Sequence, residues 1–274
     1  MAERLLPDYG LTPDGVLPLT PKVTMVIDGL KPRFVDAEGR TLKDLPDDAD
    51  EDLRELKQKK ATLAREVAAR LEMRMTTCER MSLQHFTEVY VMHGLARQLA
   101  NGVLWSTYSP TGEPRERFTL DQMPVLDDDT RLGVVHPLEL TAADRARWGK
   151  HFTRQPIEQL DRTVFSFEDA SAFEGALNAL VDRTANTGSL IGLENRRWSR
   201  GDPIGLGCYV DVARQAQGID VRVSFEPGIY LGAPEQNPQQ RIAETQVSIG
   251  AWSLQTAVLV SEIVRDVRST LVDA

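Results

Sequence analysis

The stretch Ile219-Asp220-Val221-Arg222-Val223-Ser224-Phe225-Glu226-Pro227-Gly228 carries apolar side chains at 219, 221, 223 and 225 and polar ones between them. A period of two is the signature of a strand with one face in a core and the other in water. Pro227 lacks the donor a sheet ladder needs, so Pro227-Gly228 is predicted to end or turn the strand. Further along, Val247 and Ile249 predict another strand. The chain then changes period: over 253–272, Leu254, Ala257, Val258, Val264, Val267 and Leu271 form the stripe of an amphipathic helix.

Upstream of the strand, Ser171 and Glu174 form a capping pattern ahead of Phe173, Leu177, Leu180 and Val181, with Thr187-Gly188 as the predicted stop. Thr141 and Asp144 repeat the pattern ahead of Trp148 and Phe152. Short strands are predicted at 104–108 and 132–135, the first bracketed by loops at Asn101-Gly102 and Ser109-Pro110-Thr111-Gly112. Over 53–75, Leu56, Leu63, Val67, Leu71 and Met75 recur at helical spacing, while Glu55 with Lys59 and Glu66 with Arg70 make i,i+4 pairs off that stripe. A second helix is predicted through Phe86, Val89, Tyr90, His93, Ala96, Leu99 and Val103. The N-terminal part holds Pro7, Gly10, Pro13, Gly15, Pro18 and Pro21, with a tight turn at Asp14-Gly15, a hairpin or meander over 23–35, and an acidic helix start at 47–52.

This mixed order, without a regular strand-helix alternation or a Gly-rich phosphate turn, predicts an α+β fold: a mixed, mainly antiparallel sheet with several long amphipathic helices. The expectation is one domain over 1–274, with an N-terminal hairpin region at 1–45, a helical region at 49–104 and an α+β core at 105–274.

The 274 residues, 41% of them apolar, can bury a core of ordinary density. Acidic residues outnumber basic ones 41 to 32, a formal charge of −9 that opposes a phosphate backbone, so nucleic acid is a disfavoured partner. The two cysteines, Cys78 and Cys208, stand at no zinc-ligand spacing and are expected to be free thiols; no metal is expected, and nothing names a cofactor. The first residues lack the apolar core of a signal peptide, and no apolar run is long enough to span a membrane. A cytoplasmic location is the expectation.

Two constellations could carry chemistry. His136-Pro137-Leu138-Glu139 follows a strand and precedes a capped helix, and His136 with Glu139 could share acid/base work. The structural alternative is a histidine bonded to a turn that the proline redirects. Arg196-Arg197-Trp198-Ser199-Arg200 is the one locally basic cluster, in which Arg196, Arg197, Trp198 and Arg200 could grip an anion, with Arg162 as a weaker version. Its structural alternative is an ion-paired surface. His93 is expected to be a satisfied histidine on an apolar helix face, and Glu262 to mark a helix's solvent edge. Walker A, HExxH and GxSxG patterns are absent.

The segments Asp8-Tyr9-Gly10-Leu11, Asp36-Ala37-Glu38-Gly39, Leu95-Ala96-Arg97-Gln98-Leu99, Leu104-Trp105, Gly133-Val134-Val135-His136-Pro137-Leu138-Glu139-Leu140, Trp148, Gln159-Leu160-Asp161-Arg162 and Val260-Ser261-Glu262-Ile263-Val264-Arg265-Asp266 form a series. That series resembles the uncharacterised C-terminal domain of the bacterial proteins called molybdate metabolism regulator-like (MolR-like). The run at 134–140 is its most specific element. Gly94 after His93, where relatives usually carry proline, and the less aromatic Gln155-Pro156-Ile157-Glu158 depart from it.

The resemblance implies relatives that are mostly much longer, some with a WGR module upstream, and a regulatory name that establishes no activity. It leads to the expectation of a stand-alone MolR-like domain acting as a regulatory or interaction protein, with a protein partner or self-association. The alternative is an enzyme on a small anionic or peptide substrate, using the His136/Glu139 pair and the arginine cluster.

Overall fold

Leu63, Val67, Leu71 and Met75 lie fully buried along one side of α1 (Glu51–Thr76), a 26-residue helix. Off that stripe Lys59 pairs with Glu55 at 2.7 Å and Arg70 with Glu66 at 2.6 Å, so the helical period and the charge spacing both act as expected. The computed structural model describes residues 16–20, 23–28, 31–42, 51–152, 155–205 and 207–272. The turn expected at Asp14-Gly15 and the acidic residues 47–50 lie outside them. The chain divides into two units, Met1–Arg162 and Thr163–Ala274.

In the first unit β1 (Val16–Thr20), β2 (Val23–Asp28), β3 (Lys31–Asp36) and β4 (Thr41–Leu42) form an antiparallel meander. After α1 come β5 (Met81–Ser82), α2 (Leu83–Phe86), a π-helical turn at Thr87–Val91 and α3 (Gly94–Asn101). The single helix predicted through His93 is therefore broken. The π turn disturbs the 3.6-residue register, and His93 takes an extended conformation in which its Nδ1 accepts the Ala96 N–H at 3.2 Å. His93 caps α3 and is only half-buried. Next, β6 (Trp105–Tyr108), β7 (Pro114–Phe118) and β8 (Arg131–Val134) join β5 in the order β5-β8-β6-β7, and α4 (Ala142–Gly149) follows with the Thr141/Asp144 capping box in place. Phe86, Tyr90, Trp105 and Phe118 pack ring to ring in this unit's core, Phe86 and Trp105 edge-on with centroids 4.8 Å apart.

The second unit contains α5 (Ala170–Asn178), β9 (Thr184–Asn186), α6 (Thr187–Gly192), β10 (Ser199–Arg200), β11 (Cys208–Ala216), β12 (Ile219–Tyr230), β13 (Gln239–Ile249) and α7 (Leu254–Arg268). The sheet order is β10-β11-β12-β13-β9. On β12, Ile219, Val221, Val223 and Phe225 are buried while Asp220, Arg222 and Glu226 are exposed, as the alternation requires. The helix α7 packs its Leu259, Ile263, Val264 and Val267 into the same core. Every strand pairing among the described residues is antiparallel, and the fold is α+β.

Three local expectations change here. The strand does not stop at Pro227-Gly228 but continues to Tyr230, because β11 pairs with Ile229 and Tyr230 and the Gln240 side chain holds Gly228 before them. Gly228 N–H donates to Gln240 Oε1 at 2.8 Å, and its carbonyl accepts from Gln240 Nε2 and Asn237 Nδ2, both at 3.1 Å. Helix α5 is capped by Asp169, which accepts from the Ala172 N–H at 2.9 Å, and it ends at Asn178; Thr187 opens α6 instead of closing α5. Glu262 is not at a solvent edge, since α7 is buried on nearly all sides around it and leaves it 3% exposed.

Cys78 and Cys208 are both buried free thiols. No helix among the described residues is long and apolar enough to cross a membrane.

Candidate functional site

In the first unit the run after β8 forms one 3-10 turn, Pro137–Glu139, with His136 as its cap. Proline fits the first position of such a turn because the N–H it lacks would be unpaired there. His136 Nδ1 accepts the Leu138 N–H at 3.2 Å, and Glu139 Oε1 accepts the His136 N–H at 2.8 Å, so the two residues close a reciprocal capping box. Because Nδ1 accepts, a neutral His136 ring carries its proton on Nε2. The ring is fully buried. Just before it, Gln159 spans two strands' ends: its Oε1 accepts from Leu104 N–H at 2.8 Å, and its Nε2 donates to the carbonyls of Leu104 at 3.0 Å and Val135 at 2.8 Å.

The second oxygen of Glu139 is also engaged. The Tyr108 hydroxyl donates to Oε2 at 2.7 Å, and Arg80 Nη2 approaches it at 3.5 Å while the guanidinium lies 3.5 Å from the centre of the Tyr108 ring. Burial, and then the Glu139 charge, push the Tyr108 hydroxyl well above the usual phenol range, so Tyr108 remains a donor. Gly133 makes the crossing of Arg80 over β8 feasible, as a Cβ there would lie 2.5 Å from Arg80 Nη1. Arg117 completes the arrangement: Nη2 donates to the Glu139 carbonyl at 2.8 Å and Nη1 pairs with Asp144 at 3.0 Å. Arg162 serves a different purpose in this unit, donating to Glu72 on α1 at 3.0 Å and to the Glu158 carbonyl at 3.4 Å.

The arginine cluster lies in the second unit, where Arg196 and Trp198, joined by Arg214, meet on one acid. Asp266 of α7 accepts from Arg196 Nη1 at 3.1 Å on one oxygen, and from Trp198 Nε1 at 3.0 Å and Arg214 Nη1 at 2.7 Å on the other. Burial raises the Asp266 carboxyl above the usual range against these three donors, and burial lowers Arg214 below its own. The indole and the guanidiniums are thus spent on an internal carboxylate. Arg200 forks onto Glu194 through two bonds, and Arg197 takes a left-handed conformation with φ 69 on the exposed turn between them.

Of the residues singled out in the sequence, His136 and Glu139 come together in one box, and Arg196 and Trp198 meet on one acid. Arg162 and Arg200 each hold a separate carboxylate. The partners Tyr108, Arg80 and Asp266 had no local signal that would mark them. Arg214 alone had one: it shares strand parity with Val212, which marks an inward-facing charge.

The two units define an antiparallel α+β chain in which His136 and Glu139 are tied into a capping cluster and Arg196 and Trp198 into an ion-pair hub. It belongs to the family described as "Domain of unknown function (DUF4132)", whose model matches residues 39–198. The chain is also 26% identical over 233 residues to the "Uncharacterized protein YehI" of Escherichia coli (strain K12), a match covering 73% of this chain and 19% of that protein. The match thus spans about a fifth of YehI. No solved structure matches.

Proposed function

We propose that this chain is a regulatory or interaction module of the MolR-like kind, working in the cytoplasm through contact with another polypeptide. The observation that carries this reading is the internal commitment of its polar candidates. His136, Glu139, Arg162, Arg196, Trp198 and Arg200 each bond to a residue of their own unit, where they hold a turn, a strand end or a helix in place. Such internal bonds rigidify each unit, so that its outer surface can serve recognition. A second support is that in YehI the matching region is 19% of a much longer protein, a setting in which it has other polypeptide beside it.

The test is proximity labelling of the tagged chain in its own host, followed by reconstitution of any enriched protein with purified components. A stoichiometric complex, or self-association by light scattering, is the expected result. A lone monomer with no protein enriched above a size-matched control would end this reading.

A further inference from the structure

Between β7 and β8 the chain crosses from Phe118 to Arg131 through a segment held at two points. Leu120, in the 3-10 turn Leu120–Gln122, and Leu126 both pack against the core of the first unit. Between them Met123 is extended, with φ −67 and ψ 126, the conformation a following proline favours. Among the described residues nothing pairs with the main-chain N–H groups of Met123, Val125 and Leu126, or with the carbonyls of 123–126. Val125 is fully exposed and Met123 is 42% exposed, so the outward side chains follow the period of two of an extended chain. A single apolar side chain on a surface is ordinary, but here two alternate ones stand on an open main chain whose ends are fixed.

The charges define what fits. Asp121, Asp127, Asp128 and Asp129 flank the apolar pair, all exposed, and among the described residues none of them forms an ion pair. The Thr130 N–H donates to the Asp127 carbonyl at 2.9 Å, which holds the last three acids in one turn. An anionic lipid surface would be repelled by them. A second copy is a poor match as well, because it carries the same formal charge of −9, and Arg196 and Arg200 of its one basic cluster are committed to Asp266 and Glu194. A groove with an apolar floor and lysines or arginines along its rim suits both the valine and the acids.

We propose that residues 121–129 are a docking segment, laid extended into the groove of a different protein that has an apolar pocket for Val125 and a basic rim beside Asp127, Asp128 and Asp129. The proposal names the surface and the partner chemistry for the interaction reading above and rests on it. In the complex the open N–H and C=O groups of 123–126 can pair with main chain along the groove, as in strand addition, while the alternate side chains Met123 and Val125 enter pockets. Because Leu120 and Leu126 already fix the ends of the segment, little further ordering opposes binding. The acids steer the encounter, and the buried valine holds the complex once formed.

The test places a benzophenone side chain at position 123 of the full chain in its own host, with Val125 left in place, and identifies what light joins to it. The protein found is then purified and its binding to the chain measured. The expected result is a protein whose binding is competed by a synthetic peptide of residues 119–131. Val125→Asp should weaken that binding at least about tenfold, the effect of losing one buried valine. It should leave the melting temperature unchanged, because the side chain is fully exposed in its own chain. Asp127→Asn, Asp128→Asn and Asp129→Asn together should slow association several-fold at about 50 mM salt and make little difference at about 500 mM. No adduct at position 123, an adduct only to lipid or to a second copy, or a partner whose binding ignores either change overturns the proposal. A protein that binds the chain undiminished by both changes would leave the broader interaction reading standing, whereas a chain with no partner at all ends both.

Discussion

The Tyr108 hydroxyl donates a 2.7 Å hydrogen bond to Glu139 Oε2, and that carboxylate is the one that closes the capping box on His136. A strand side chain and a turn acid are joined so that the turn after β8 is held from both sides. Tyr108→Phe removes the strongest donor to a fully enclosed carboxylate. It should destabilise the first unit by about 1 to 3 kcal/mol. Urea denaturation followed at the Trp105 indole checks this, and an unchanged midpoint would show that Arg80 alone satisfies Glu139.

The Asp266 hub makes a sharper claim. Asp266→Ala strands the Arg214 guanidinium and the Trp198 N–H in a buried setting. The expected loss is about 3 to 5 kcal/mol, as when one partner of a buried pair is removed. Replacing both charges, Asp266→Leu with Arg214→Met, should cost much less. Chemical denaturation of the two variants decides it; equal losses would mean that packing, not charge, is what Asp266 supplies.

Acid should loosen α4 before the rest of the first unit. Hydrogen bonds from Thr141, followed by the Arg117 charge, hold the Asp144 carboxyl below its usual range. A lowered folded value means that the cap's contribution is present above the unfolded pKa and is lost as pH falls through the folded one. Protection factors of the amides over Ala142–Gly149, which discount the slower intrinsic exchange in acid, should fall below about pH 4, near the unfolded aspartate value. Asp144→Asn should remove that acid dependence; if it persists, the carboxylate is not its source.

Gly228 is the residue that lets β12 pass its proline. Its φ is +105, and an added Cβ would sit 2.6 Å from Cys208 Sγ. Gly228→Ala should therefore cost about 1 to 3 kcal/mol of strain before any clash is counted. Gln240→Leu should act on the same place by leaving the Gly228 N–H without its acceptor. Thermal melts of both variants, with one near-neutral, would show which bond the strand depends on.

Much of the architecture was legible along the chain. The stripe from Leu63 to Met75, the alternation from Ile219 to Phe225 and the Thr141/Asp144 cap each depend on geometry repeated within a few residues, and each appears where the pattern puts it. The α+β class follows from their order. Where an expectation changed, either a neighbour distant in sequence or a local break in helical register had intervened. Gln240 carries β12 past Pro227, α7 is enclosed so that Glu262 is buried, and the π turn sets His93 at a helix start.

The candidate sites divide along the same line. The types and spacing of His136 and Glu139, and the density of arginines at 196–200, could be read from the sequence alone, as could the excess of acidic over basic residues, 41 to 32. What those side chains hold could not. Tyr108 is 31 positions from Glu139 and Trp198 is 68 from Asp266, and no local period encodes either pairing. Spacing along a chain sets which face of an element a side chain occupies, because backbone geometry repeats. Only packing decides which carboxylate a buried donor meets, because removal from water obliges it to find the acceptor that the fold brings near.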